Sequence, residues 1–284
     1  MAAAAPRTPP AKIGRRRRGL PADQTAKRMQ AIPRYNVLGV GVSALGLAQA
    51  RDAILAARGR PRSGYVCATG VHGVSEAQRD PAVRRALNAA WLNVPDGMPL
   101  VWLGRGRGHR QVTRVYGPDL MLAVCDAGRA IGLTHYFFGG APSVPERLRD
   151  QLTQRYPGLR VVGTMAPPFR PLTTDETAAL DADVAAKRPD VFWVGLSTPK
   201  QELFMAAHWA QLDAGVLVGV GAAFDFHSGG RPQAPRWMQR SGLEWLFRLA
   251  VEPRRLWRRY LVNNPLFVAR LLLQATGLRR YPLD

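Results

Sequence analysis

The sequence has only two cysteines, few acidic residues and no long apolar run. Cys67 and Cys125 lie in apolar stretches without Cys-x-x-Cys spacing, which predicts reduced core residues and argues against disulfides or a cysteine-bound metal. No stretch approaches the roughly 20 apolar residues that a membrane-spanning helix needs. Prolines at positions 6, 9 and 10 follow the alanines of residues 2–5 and interrupt any apolar signal-peptide core, and no apolar stretch follows the arginines of residues 15–18. A secretory signal is therefore not predicted.

Acidic residues are scarce beside basic ones. The chain has 20 Asp and Glu against 40 Lys and Arg, a formal net charge of +20, which predicts attraction to partners that carry phosphate. Nucleic acid, anionic lipid and nucleotide-sugar all stay open on charge alone. The hydrophobic share of 46% is that of a soluble globular protein. We expect a cytoplasmic protein that contacts a membrane, if at all, from its inner face.

Composition divides the chain into three parts. Residues 1–33 are rich in Ala, Pro and Arg without periodicity, which predicts a disordered basic arm. Residues 34–230 alternate short apolar runs with amphipathic segments. In residues 231–284 the apolar runs give way to short segments interrupted by prolines, which predicts a helical appendage.

The alternation in the middle part predicts an α/β fold. Helices are expected over residues 44–58, 143–155 and 174–187, and Thr173 with Glu176 has capping-box spacing at the start of the last one. Strands alternating with helices favour a Rossmann-like parallel sheet with helices on both faces. Buried strands are predicted over residues 36–40, 64–68, 92–94, 135–138, 160–163, 191–194 and 216–220.

Polar residues follow several of these strands, where ligands of open parallel sheets bind. Asp96 lies in a Pro-Asp-Gly turn and can either take a proton from an attacking hydroxyl or only bond its own turn backbone. Thr69 can contact a substrate or simply cap a helix. Lys200 and Gln201 begin a helix after a strand, where an anion can bind, or are only polar first-turn residues.

Other acidic residues are weaker candidates. Asp119 is a possible surface ion-pair partner for Arg114, of little energetic value. Asp225 lies in an apolar stretch that suggests a packed turn, and it ranks below Asp96. Asp181 and Asp183 have metal-motif spacing, but their amphipathic helix indicates solvated surface.

The C-terminal part contains a run of arginines among aromatic residues, from Gly242 to Tyr260. Guanidinium groups bind phosphate oxygens, and Trp and Tyr favour membrane interfaces. Arg248, Arg255 and Arg258 are spaced to share one face of a continuous helix, although Pro253 indicates a break. The alternative is a solvated basic face, which does not require the neighbouring aromatic residues.

A set of short motifs resembles the WecG/TagA/CpsF glycosyltransferase family over residues 36–264. Members transfer a sugar from a UDP-sugar to a saccharide on a polyprenyl diphosphate at the inner membrane face. The resemblance implies a Rossmann-like domain with a membrane-associating appendage and no metal-binding Asp-x-Asp. The motifs occur in order: Asn93-Val-Pro-Asp-Gly97, Arg114-Val-x-Gly-x-Asp-Leu120, Phe138-Gly-Gly140, Pro167-Pro-Phe169, Gly195-Leu-Ser-Thr-Pro-Lys-Gln-Glu202, Gly221-Ala-Ala-Phe-Asp225, Ala234-Pro-Arg-Trp237 and Gly242-Leu-Glu-Trp245.

The resemblance also implies roles for the candidate residues. Asp96 matches the carboxylate proposed as catalytic base, and Thr69 matches a pocket threonine. The Asn usual two positions after that threonine is replaced by Val71, followed by His72, which leaves the donor-sugar contacts open. The remaining candidates would bind donor, acceptor or phosphate: Arg114, Lys200, Gln201, Arg248, Arg255 and Arg258.

The resemblance therefore implies a metal-independent, inverting glycosyltransferase, for which we expect no cofactor. Its expected partners are a UDP-sugar, a polyprenyl-diphosphate-linked saccharide and an anionic membrane surface, with homo-oligomerisation left open. Two alternatives come from other classes. A non-catalytic, membrane-docked scaffold is favoured by Val71 and opposed by Asp96. A nucleic-acid-binding protein is suggested by the charge, but its arginines would have to line a groove with stacking aromatics.

Overall fold

A six-stranded parallel sheet forms the centre of the chain in the computed structural model, which describes residues 32–283. The sheet order is β4-β3-β8-β7-β5-β6, and every neighbouring pair is parallel. The strands of the molecule are β1 Arg34–Val37, β2 Val40–Ser43, β3 Tyr65–Thr69, β4 Leu92–Pro95, β5 Thr134–Gly139, β6 Arg160–Met165, β7 Val191–Gly195 and β8 Val216–Gly219.

Helices cover both faces of the sheet because successive strand residues point to opposite sides. In β7, Phe192 and Val194 belong to one buried apolar cluster, whereas Val191 and Trp193 belong to the other. The Rossmann-like α/β class is thus confirmed. The helices are α1 Leu47–Ala56, α2 Val71–Ala77, α3 Pro81–Ala89, α4 Met98–Gly106, α5 Gly117–Gly128, α6 Val144–Arg155, α7 Thr174–Lys187, α8 Lys200–His208, α9 Ala223–His227, α10 Arg236–Arg240, α11 Glu244–Val251, α12 Pro253–Trp257 and α13 Asn263–Ala275.

Most predicted elements are confirmed, and one is wrong. Residues 36–40 are not a strand of the parallel sheet, because the chain turns there at Leu38 and Gly39 and pairs β1 with β2 antiparallel. Both turn residues have positive φ, 53° and 79°, which is the backbone of a tight hairpin connection. The apolar run Val-Leu-Gly-Val therefore crosses a turn instead of extending through it.

The expected capping box opens α7. The Thr173 hydroxyl accepts from the Glu176 N–H at 3.2 Å, and the Glu176 carboxylate accepts from the Thr173 N–H at 2.8 Å. Further along this helix, Asp183 accepts from the Tyr136 hydroxyl at 2.6 Å and pairs with Lys187. Asp183 therefore links the helix to the sheet through Tyr136.

The C-terminal segment, defined here as residues 231–283, is helical, and its last helix packs against the hairpin. Phe267 and Tyr281 are buried in the same apolar cluster as the hairpin residues. Asn36 donates from Nδ2 to the Tyr281 carbonyl at 2.6 Å, and the Leu38 N–H donates to Oε1 of Gln274 at 3.2 Å. Residues 32–283 accordingly belong to one compact unit.

Two further predictions from the sequence concern the N-terminal arm and membrane-spanning helices. The predicted arm over residues 1–33 lies outside the described residues, except for its last two. Among the helices of residues 32–283, none combines the length and the apolarity needed to span a membrane.

Candidate active site

A cavity of about 670 Å³ opens at the carboxyl ends of β3 and β4. The body contributes the loop after β3 and the loop and helix after β4. The C-terminal segment forms the opposite wall. The polar residues that line the cavity are His72, Asp96, Arg114, Thr198, Gln239, Ser241, Glu244, Arg248, Arg259, Tyr260 and Asn264.

Asp96 is fixed at the edge of this cavity by contacts on three sides. Its N–H donates to the Thr69 carbonyl at 2.9 Å, which continues the ladder between β3 and β4. Its Oδ1 accepts from the Gly117 N–H at 2.9 Å. Its Oδ2 lies beside Gly70, since a Cβ atom added to that glycine would be 3.8 Å from Oδ2. Within residues 32–283, Oδ2 has no hydrogen-bond partner. The alternative that Asp96 bonds its own turn is wrong, since Gly117 is 21 residues further along the chain.

The surroundings of Asp96 make it a better proton acceptor than an exposed aspartate. Burial raises the pKa of the Asp96 carboxyl to about 6, and the Glu244 carboxylate contributes to the rise. The Arg114 and Arg248 guanidinium groups and the Gly117 N–H oppose it. A carboxylate with this pKa is ionised at neutral pH and still close enough to that pH to accept a proton efficiently.

Arg114 connects Asp96 to the C-terminal segment. Its Nε donates to the Asp96 carbonyl at 2.6 Å, its Nη1 donates to the Gln239 carbonyl at 3.3 Å, and its Nη2 pairs with the Glu244 carboxylate. The guanidinium also stacks on the Tyr116 ring at 4.0 Å. The predicted cavity position of Arg114 is thus observed, and a surface pair with Asp119 is not, because Asp119 faces Arg236 at 3.6 Å.

Two arginines of the C-terminal segment line the cavity, and they are not the predicted set of three. Arg248 and Arg259 are lining residues, whereas Arg255 and Arg258 are exposed. The prediction of one shared helix face is wrong, because α11 ends at Val251. The next residue, Glu252, has a φ of −132° and a ψ of 61°, which break the helix before Pro253. Arg255 instead pairs with Glu252 at 2.5 Å.

Arg259 lies in the cavity wall, where its guanidinium group can bind an anion. Its Nε is buried and has no hydrogen-bond partner within the described residues, and burial lowers the pKa of its guanidinium. His72 lies close by, and burial, followed by the Arg259 charge, lowers the pKa of the His72 imidazole to about 3. The imidazole is therefore neutral at physiological pH, and Arg259 supplies the positive charge at this part of the wall.

Thr69 and Gln201 are almost fully buried and are not among the residues that line the cavity. The Thr69 hydroxyl and Oε1 of Gln201 have no partner within residues 32–283. Thr69 does not cap α2, since the N-cap residue is Gly70 and no side chain caps it. Lys200, at the first position of α8, is exposed and outside the lining. Asp225 also lies outside it and faces Arg231 at 3.3 Å.

Comparison with known proteins identifies the kind of site. The model of the family described as "Glycosyl transferase WecG/TagA/CpsF family" matches residues 35–281. The chain belongs to this family. The Bacillus spizizenii protein named N-acetylglucosaminyldiphosphoundecaprenol N-acetyl-beta-D-mannosaminyltransferase is 30% identical over 197 residues, which cover 69% of this chain and 74% of the relative. The protein is therefore a glycosyltransferase.

The contacts of several lining residues of this WecG/TagA/CpsF member do not follow from the sequence patterns. Glu244 lines the cavity and lies within a motif that carries the family resemblance, but its hydrogen bond is to Tyr116, 128 residues earlier in the chain. Arg259 has no signal of its own, because helical spacing favours Arg258. At the far side of the cavity, apolar residues come from α4 and α13, namely Met98, Trp102, Leu103, Phe267, Val268 and Leu271.

The described side chains do not form a cluster of metal ligands. Within that part of the chain, no group of three or more His, Cys, Asp or Glu side chains could hold a metal ion. Cys67 and Cys125 are buried free thiols, as the sequence predicted. The cationic groups that face the cavity are arginine side chains.

Proposed function

We propose that this glycosyltransferase moves a hexose from a UDP-sugar to a saccharide on a polyprenyl diphosphate, without a metal ion and with inversion at the anomeric carbon. The hexose would be N-acetylmannosamine, its uronic acid or glucose, and the product would serve cell-surface polysaccharide synthesis. The name of the Bacillus spizizenii relative, an N-acetylmannosaminyltransferase acting on a lipid-linked N-acetylglucosamine, supports the acceptor class and favours the first of these donors.

One observation carries the proposal: Asp96 has one carboxylate oxygen anchored and the other directed to a cavity with a cationic wall. The Gly117 N–H fixes Oδ1, which leaves Oδ2 for an incoming hydroxyl. Arg248 and Arg259 line the same cavity. A base and a phosphate-binding group on one cavity are what transfer from a nucleoside diphosphate sugar requires.

The proposed sugar transfer needs only Asp96, the two cavity arginines and the two substrates. The acceptor hydroxyl oxygen attacks the anomeric carbon while Asp96 Oδ2 takes the hydroxyl proton. The bond between the anomeric carbon and the phosphate oxygen breaks, and the electron pair leaves with UDP. Arg248 and Arg259 stabilise the charge that develops on the diphosphate. Attack opposite to the leaving group gives inversion.

The remaining candidate residues have supporting roles in this proposal. Thr69 and Gln201 would meet polar groups of the donor or acceptor through their unpaired buried oxygens. Lys200, Arg255 and Arg258 lie outside the cavity lining, and we propose that they attract phosphate of the donor, of the acceptor or of lipid head groups as substrate approaches. Their contribution is then long-range and sensitive to salt.

We further propose that the C-terminal segment docks on the inner face of the membrane. Leu261, Leu272 and Leu278 are 56%, 61% and 79% exposed, and arginines flank them in sequence. Apolar side chains beside basic ones suit an anionic bilayer surface. The apolar side of the cavity adjoins this segment, so a lipid-linked acceptor could enter from the bilayer with its diphosphate leading.

A transfer assay tests the function. Purified protein would receive each of several UDP-sugars, a short polyprenyl-diphosphate-GlcNAc analogue and EDTA, with UDP release and product mass as readouts. We expect one donor to give product with EDTA present, and Asp96→Asn to lower turnover by about 10²–10⁴-fold. Full activity in Asp96→Asn would refute the assigned base. Absence of turnover with every donor, with vesicle binding intact, would favour the scaffold alternative.

A further inference from the structure

Glu244 brings a carboxylate from the C-terminal segment into the wall of the cavity. Its side chain is 13% exposed, and that of Arg114 is 16% exposed. Oε1 accepts from the Tyr116 hydroxyl at 3.0 Å, and Oε2 accepts from Nη2 of Arg114. A buried carboxylate normally requires such partners, because removing an ion from water is costly.

Glu244 is not a second candidate for the base. Both of its oxygens are engaged by the body of the protein, whereas Oδ2 of Asp96 has no partner within the described residues. Its partners, however, act directly on Asp96. Arg114 donates from Nε to the Asp96 carbonyl at 2.6 Å, and Gly117, which fixes Oδ1, follows Tyr116 in the chain.

We propose that Glu244 is a positioning residue for sugar transfer, which holds Arg114 and Tyr116 in place and thereby sets the orientation of Asp96. The inference rests on the proposed role of Asp96 as base. It assigns to the C-terminal segment a function within the catalytic centre that is separate from phosphate binding and from membrane docking. The centre is then complete only when α11 lies against the body.

The charge of Glu244 has a second effect on Asp96. The charged groups that face Asp96 are Arg114 from the body and Glu244, Arg248 and Arg259 from the C-terminal segment. Glu244 raises the pKa of Asp96, and the arginines lower it. Removing the Glu244 charge would leave only cations around Asp96, so the pKa of Asp96 would fall and its carboxylate would become a weaker base.

The test compares Glu244→Gln with a matched control in the same protein. Glu176→Gln also removes a carboxylate that binds an arginine, since Glu176 accepts from Arg170 at 2.6 and 2.8 Å, but on the exposed start of α7. Glutamine still satisfies a capping box, so this control should keep its fold and activity. The assay is the transfer reaction, with kcat and donor KM measured across the acid and neutral pH range.

We expect Glu244→Gln to lower kcat by about 10–100-fold, the scale of a slightly misplaced catalytic group, with donor KM changed much less. The acid limb of the pH profile should move to lower pH, because Asp96 ionises more easily. A second variant, Tyr116→Phe, keeps the charge and removes one hydrogen bond to Glu244. It should lower kcat by a few fold and leave the acid limb in place.

The outcomes separate this inference from the function on which it rests. Wild-type kcat and an unmoved acid limb in Glu244→Gln, with Asp96→Asn inactive, would overturn the role of Glu244 alone. Activity in Asp96→Asn would instead overturn the assigned base. If Glu244→Gln does not fold, Tyr116→Phe decides, and wild-type kcat in that variant would overturn the positioning role.

Discussion

The α/β body and the C-terminal segment place their apolar and charged side chains in opposite ways. The body encloses most of its large apolar residues in two clusters on the faces of the sheet. The C-terminal segment leaves Leu261, Leu272 and Leu278 exposed and turns Arg248 and Arg259 toward the cavity. The body is therefore organised around its own core, whereas the segment completes a site on one side and presents an apolar surface on the other.

The largest expected effect is on activity, and it distinguishes the arginines of the C-terminal segment that line the cavity from those that are exposed. The double variant Arg248→Ala and Arg259→Ala should lower kcat/KM by about 10²–10³-fold, because the departing diphosphate loses its charge stabilisation. The double variant Arg255→Ala and Arg258→Ala should lose far less in detergent solution, since those side chains are exposed. Equal losses in the two double variants would mean that the segment rearranges when substrate binds.

A somewhat smaller effect is expected on membrane affinity. Replacing Leu261 and Leu272 by Glu should weaken binding to anionic vesicles by at least about tenfold, because the burial of two leucines in lipid is worth several kcal/mol. Cosedimentation with vesicles containing phosphatidylglycerol would measure the change. Ile131 is also exposed, at 37%, and belongs to the body, so Ile131→Glu serves as the control. Unchanged vesicle binding in the leucine variant would place the docking surface elsewhere.

The smallest expected effect is a gain in the stability of the fold when the Asp96 carboxylate is removed. Burial raises the pKa of Asp96 from 3.8 to about 6, so ionisation destabilises the folded state increasingly as pH rises between those two values. Above the folded-state pKa that cost is fully present. Asp96→Asn should therefore raise the Tm by about 5 °C at neutral pH, and the gain should vanish toward the unfolded-state pKa. Differential scanning fluorimetry across that range measures it.

The same substitution then separates stability from catalysis. The amide oxygen introduced by Asp96→Asn can still accept from the Gly117 N–H that Oδ1 of Asp96 bonds, so the turn should be retained. If Asp96→Asn is more stable than the wild type and inactive at neutral pH, the negative charge of Asp96 is needed for the reaction and destabilises the folded state. A lower Tm at neutral pH would mean that attraction to the surrounding arginines outweighs burial.

The parallel sheet was predictable because its strands are short apolar runs bounded by polar or glycine-rich loops. The run at residues 36–40 was misassigned for a local reason. Leu38 adopts a positive φ, which is unusual for a residue with a side chain of this size, so the apolar pattern gave no sign of a turn. Gly39 alone was the available signal.

The residues that the body contributes to the site were predictable from the ends of its strands. The residues that the C-terminal segment contributes were less predictable. Asp96 and Arg114 follow β4 and reach the cavity through the topology of the sheet. The assignment of cavity arginines required the helix break at Glu252 and the π-helical turn over Arg258–Val262, which α-helical spacing does not predict. The role of Glu244 could not be assigned, since the motif that contains it does not show that its partners lie 128 and 130 residues away.

The hydrogen bond from Asn36 to Tyr281 has a consequence for the order in which the molecule is made. It joins residues 245 positions apart, so the hairpin near the start of the described chain gains this partner only after the ribosome has synthesised nearly everything between them. Leu261, Leu272 and Leu278 emerge after all six strands of the sheet. These exposed leucines are thus synthesised only after every strand of the sheet is available to fold.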